Sequence, residues 1–226
     1  MFDALRALGK AGANPVAQVL AHQGKFFEAD HYPKGDVYDG ETGAQYYYHA
    51  HRGQTGEHGH FHTFIRAKGI PAAARPAAVR SAAKRPRGKA AICHLIAISM
   101  NRGGLPTGLF TTNQWVTGET LFSAQDTIQM LDRFQIDHVH PCLATNRWIS
   151  SMLRLFRPQI EMLLLRRDAM LGAWQGKHPD RDPLLDEELE VTSSMRIDID
   201  RQVARVDRLL GRRSSSRAIA RRNTQS

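Results

Sequence analysis

Polar and apolar positions alternate most regularly between Tyr46 and Arg66, YYYHAHRGQTGEHGHFHTFIR. Side chains two apart on a strand share a face. Tyr46, Tyr48, Phe61 and Ile65 therefore make an apolar face, and Tyr47, His49, His51, His58, His60 and His62 make the opposite one. The break at Gly53-Gln54-Thr55-Gly56 reads as a hairpin loop. Closing the hairpin about it sets His51 against His58, His49 against His60 and Tyr47 against His62. A slip of one residue would bury the histidines and expose the aromatics, so the apolar pattern fixes this register.

The same reading places the other elements. Residues 1–27 give two short helices, the second opened by Asn14-Pro15. Residues 28–43 are turn-rich and read as an ordered loop, with His31 near the hairpin. Ala91 to Met100 is a β-branched apolar run, and Gly108 to Val116 returns as its partner, a second hairpin. In the first of these strands His94 shares a face with Ile92, Ile96 and Ile98, which marks it as a buried structural histidine. Ser123 to Asp126 resembles a capping box, and Thr127, Met130, Leu131 and Phe134 follow at helical spacing. Residues 145–175 form a long apolar helix interrupted at Pro158. A polar link, 177–190, leads to a last amphipathic helix marked by Ile199, Val203, Val206 and Leu210. The expected fold is α+β: an antiparallel sheet of four or more strands in two hairpins, packed against the long helix, with further helices at both ends.

Composition adds limits. The 226 residues are 42% hydrophobic, and no apolar run reaches the length of a membrane span. The first residues lack a basic stretch followed by an apolar one, so no secretory signal is expected. Two cysteines make no disulfide framework, and a cytoplasmic location is expected. The net charge of +9 invites a nucleic-acid partner. Residues 71–91 hold six basic residues and no acid, and residues 211–226 hold five and no acid. Removing these eleven from the 31 basic residues leaves 20 against 22 acids. The basicity thus belongs to a flexible insertion at 71–91 and a disordered tail at 211–226, attached to one domain over 1–210. Nucleic-acid binding through the tail is the less favoured reading.

The histidine face carries the chemistry. Imidazoles opposed across a strand pair lie about 5 Å apart at Cβ, where protonation would make them repel. Neutral imidazole is a good metal ligand. His49, His51, His58, His60 and His62 are therefore candidate ligands for a divalent transition metal: iron, copper, zinc or nickel. His138 and His140, with Cys142 two residues on, form a second His-x-His between two helices that could complete this site. Tyr47 and Glu57 are the candidate catalytic residues, although strict alternation points Glu57 away from the histidines. Arg102, Asn113 and Glu119 lie near strand ends and read as solvated turn residues that could orient a polar substrate. The favoured function is a metalloenzyme of hydrolytic or oxidative type acting on a small molecule. The alternatives are a metal-free acid–base enzyme using a histidine pair and Tyr47, and a binding protein without catalysis.

His49-x-His51 followed by Glu57 has a slight likeness to the first cupin motif, but the gap to the glutamate is too long and no second motif follows Pro106 and Gly108. Residues 32–39, YPKGDVYD, together with YYYHxHR and EHGHFHTF are similar to an uncharacterised bacterial family over residues 28–200. That resemblance implies no activity.

Overall fold

The computed structural model describes residues 1–28, 30–49 and 56–211. A six-stranded antiparallel sheet runs edge to edge in chain order: β1 (Tyr32–Tyr38), β2 (Ala44–His49), β3 (Glu57–Arg66), β4 (Ile92–Asn101), β5 (Pro106–Thr112) and β6 (Val191–Arg196). Among the described residues there are seven α-helices: α1 (Phe2–Lys10), α2 (Pro15–Leu20), α3 (Gln114–Thr117), α4 (Ala124–Leu131), α5 (Leu143–Leu155), α6 (Arg157–Lys177) and α7 (Ile199–Leu209). The fold is α+β.

Both edge strands depart from the sequence reading. The stretch expected as a turn-rich loop contains β1, and the chain between the polar link and the last helix contains β6. Edge strands need only one ladder of hydrogen bonds and tolerate proline, glycine and polar residues. YPKGDVY and VTSSMR are of this kind, so neither shows apolar alternation. β5 ends at Thr112, short of the expected Val116. Asn113 stops it by capping α3, its side chain accepting from the Gln114 N–H at 2.8 Å.

The core lies on one face of the sheet. Tyr46, Tyr48, Phe61, Ile65, Ile96, Ile98 and Leu109 share a buried cluster with Trp148, Ile149, Met152 and Leu153 of α5 and Ile160, Leu163 and Leu164 of α6. Burial of each such side chain contributes about 1.5–3 kcal/mol. The Tyr46 hydroxyl donates to Asn146 Oδ1 at 2.6 Å inside this core, which satisfies the one polar atom the ring brings in. The apolar stretch 145–175 divides at Phe156. Pro158 then falls in the first turn of α6, where its missing N–H breaks no helical bond.

The basic segment 71–91 is attached at several points. Pro76 bridges Phe122, and the Ala77 N–H donates to the Leu121 carbonyl. The Arg85 guanidinium donates to the carbonyls of Ala77 and Val79. Asp182 accepts from the Ser81 hydroxyl and the Ala82 N–H. The loop expected at 53–56 and the tail expected at 211–226 lie, but for Gly56 and Gly211, outside the described residues. Among the described residues, no helix is long and apolar enough to cross a membrane.

Candidate metal centre

The sheet face opposite the core carries the histidines. β2 and β3 pair with Tyr47 against His62 and His49 against His60. Alternation puts all four side chains on one face. His49, His60 and His62 each offer a ring nitrogen, and the three nitrogens lie within 4.8 Å of one another. Their ring centroids are 4.7 to 5.7 Å apart. His60 and His62 are buried and His49 is half-buried.

Two of the three rings are oriented from behind. His60 Nδ1 lies 2.7 Å from Glu57 Oε1, so the ring donates from Nδ1 and Nε2 is the nitrogen with a lone pair to offer a metal. His62 Nδ1 lies 3.1 Å from His94 Nε2. With His94 accepting, His62 too presents Nε2. Burial holds His62 well below the ordinary histidine range, reinforced by the neighbouring His60, His94, His49 and His31. Burial lowers His94 to about 3. Both rings are neutral at pH 7, the form a metal requires.

Two irregularities of the ladder create this arrangement. The β3–β4 register shifts between Glu57 and Gly59, so alternation fails at the start of β3. Glu57 turns onto the histidine face, contrary to strict alternation. His58 turns to the core side, where Tyr48 Oη and His58 Nδ1 are 2.6 Å apart and Phe26 stacks on the ring. His58 is therefore not brought to the triad. The second shift, between Thr63 and Phe64, sets His94 opposite Phe64 and Ile96 opposite Thr63. This removes His94 from the Ile96 and Ile98 face and places it behind His62.

His138 and His140 lie elsewhere. His138 Nε2 is 3.3 Å from the Tyr38 carbonyl, and the Asn146 amide donates to the carbonyls of both histidines. Tyr38 pairs with Gln45 at the start of β2, and Thr42 donates to the Gln135 carbonyl beside it. This loop therefore packs at the other end of the sheet, four positions along β2 from His49 or roughly 13 Å. His51 lies outside the described residues. His31 is nearer than a surface turn residue would be: its ring stacks on Tyr47 with centroids 3.6 Å apart and holds Asp36 at 3.1 Å.

Tyr47 is 7% exposed, and its ring lies 5.1 Å from His62 and 6.1 Å from His49. Burial pushes its hydroxyl pKa up, with Asp36 and Glu119 adding to the effect. Tyr47 thus keeps its proton at neutral pH. Glu119, read as a solvated turn residue, is 1% exposed. Its Oε2 accepts from the His94 N–H at 2.5 Å, and Oε1 has no hydrogen-bond partner among the described residues. Burial pushes its carboxyl up to about 8, so it is largely protonated at neutral pH. No periodicity marks Glu119, because its burial comes from the segment at 84–86. Gln114 beside it donates to the Lys84 carbonyl, and Thr120 to that of Pro86.

A family model described as a domain of unknown function (DUF6969) matches residues 1–197.

The chain belongs to this family. Membership agrees with the resemblance to an uncharacterised family and carries no activity with it. No curated protein and no solved structure matches the chain.

In this DUF6969 chain the histidine face opens into a groove of about 830 Å³. His60, His62 and Glu57 line one side, Ser99, Gly108 and Phe110 the floor, and Val191, Ser194 and Arg196 the far side. Phe110 meets His60 edge-on at 5.0 Å. A ligand in this groove has direct access to two of the three clustered imidazoles.

Proposed function

We propose that this protein binds one divalent transition metal through Nε2 of His60, Nε2 of His62 and a ring nitrogen of His49, and uses it as a metalloenzyme on a small molecule in the groove. The observation that carries the reading is the triad with its two orienting bonds, Glu57 to His60 and His94 to His62. Ligating histidines are commonly held through the other ring nitrogen, as His60 and His62 are here. Three imidazoles favour iron, copper, nickel or zinc over magnesium or calcium, which take oxygen ligands. A metal with three protein ligands and an open position supplies Lewis acidity and makes water acidic near neutral pH, the basis of hydrolytic or oxidative chemistry. In such a site Glu57 is the group beside the triad that accepts a proton. Tyr47, whose proton burial keeps on, offers a ligand a hydrogen bond.

The depressed pKa of His62 weighs against His62 as the general base of the metal-free alternative. A general base works best with a pKa near the operating pH, and His62 is pushed away from it. Two free cysteines, Cys93 and Cys142, fit a reducing cytoplasm.

Cobalt(II) titration followed by its visible absorption tests the ligand set. His60→Ala and His62→Ala should each abolish the saturable spectrum, while the His138→Gln/His140→Gln double variant should keep the wild-type one. Retention of the spectrum in both alanine variants, or its loss in the double variant, would contradict the assignment.

A further inference from the structure

One cross-strand row ties the triad to a cation. His49 pairs with His60, His60 with Ser99, Ser99 with Gly108 and Gly108 with Arg196. The row crosses five strands on the histidine face. Between its histidine end and its arginine end stand only Ser99 and Gly108, so nothing large obstructs the floor. A Cβ on Gly108 would meet the Met195 carbonyl at 3.3 Å and Ser99 at 3.5 Å, so a small residue suits this position. One row over, Phe110 makes the floor apolar between His62 and Ser194, on the row Tyr47–His62–Ala97–Phe110–Ser194.

Arg196 is exposed, and no ion pair or hydrogen bond joins its guanidinium to another described residue. The two carboxylates lining the groove do not neutralise it. Glu57 is bound to His60, and Glu190 lies at the other end of β6, beyond the row in which Val191 pairs with Thr112. His60 and Arg196 are three strand spacings apart, roughly 14 Å between Cα atoms.

The geometry points to a substrate class: an elongated organic anion, its carboxylate or phosphate on Arg196, its apolar body along Phe110 and its reacting group at the triad. This inference rests on the metal reading of the triad. The guanidinium fork suits a planar or tetrahedral oxyanion, and the groove's length separates that anchor from the reacting centre.

Hydroxamates bind transition metals and can carry either tail, so they serve as probes. Calorimetric titration of the metal-loaded protein compares suberic acid monohydroxamate with octanohydroxamic acid, which has a neutral tail of the same length. The carboxylate tail should bind about tenfold more tightly. Arg196→Gln should remove that advantage and Arg196→Lys should keep part of it. Succinic acid monohydroxamate, too short to span the groove, should show no dependence on Arg196. Equal affinities for the two eight-carbon probes, or an advantage that survives Arg196→Gln, overturns the inference while leaving metal-dependent hydroxamate binding intact. Hydroxamate binding that is the same with and without metal overturns the triad reading itself, and this inference with it.

Discussion

Replacing Glu57 by alanine should weaken metal binding and leave the protein folded. The carboxylate sits 2.7 Å from His60 Nδ1, with side-chain exposures of 27% for Glu57 and 7% for His60. Truncation leaves the His60 N–H to water, which can reach the position Glu57 half shields. The cost to folding is therefore about 1 kcal/mol, near that of an ordinary hydrogen bond. The cost to the metal is larger, because His60 loses both its fixed orientation and the basicity that the carboxylate lends it. Loss of such a partner weakens binding about 10–100-fold, or ~1.4–2.7 kcal/mol. Glu57→Gln should fall between wild type and alanine, since an amide oxygen accepts the same bond without the charge. Competition against a chromophoric chelator measures the dissociation constant, and thermal unfolding of the metal-free protein checks the fold. An unchanged dissociation constant in folded Glu57→Ala would show that Glu57 does not orient a ligand, and would leave it only a role in proton transfer.

Four further outcomes follow from particular contacts. Glu119 has a folded pKa of about 8 against 4.5 for the free side chain, so the folded state keeps a proton that the unfolded state releases. Its contribution to stability is complete below pH 4.5 and declines by about 1.4 kcal/mol per pH unit as pH rises towards 8. Glu119→Gln should flatten that decline in denaturant unfolding of the metal-free protein, and identical slopes would contradict burial of the carboxyl. His94 acts in the opposite sense: its folded pKa of about 3 lies below 6.5, so its contribution is complete above pH 6.5 and is lost as pH falls towards 3. A Cβ at Gly59 would lie 2.6 Å from the His49 carbonyl and from Tyr48 Oη, so Gly59→Ala should cost about 1–3 kcal/mol and lower metal content, measured by unfolding and elemental analysis together. A fully stable, metal-replete variant would refute that packing. Asp182→Asn should speed tryptic cleavage at Arg80 and Lys84 by loosening Ser81 and Ala82, and equal rates would show that the 71–91 segment is mobile whether or not Asp182 holds it.

The sequence shows the centre of the sheet better than its margins. The pairing of Tyr47 with His62 and of His49 with His60 follows from alternation alone, because one face is apolar and the register cannot slip without exposing it. The helix opened by Asn14-Pro15 is also where the sequence puts it, whereas the long helix read over 145–175 is two helices that part at Phe156, with Pro158 inside the second. What alternation could not show were the two register shifts, since a bulge is one extra residue settled by the neighbouring strand. Those shifts decide the site: they exchange Glu57 for His58 and bring His94 behind His62. The edges stayed hidden because β1 and β6 carry the polar and proline residues that edge strands allow. His138 and His140, read as able to complete the site, are held away from it by Asn146 and Tyr38 at the other end of the sheet, a placement that depends on long-range packing and not on local spacing.

Elemental analysis of protein purified without a histidine tag tests the central claim most directly. The account predicts about one transition metal per chain, reduced to background in the His49→Ala/His60→Ala double variant with the fold preserved. Metal well below one per chain in wild type, together with the same content in the double variant, would contradict a metal centre at His49, His60 and His62.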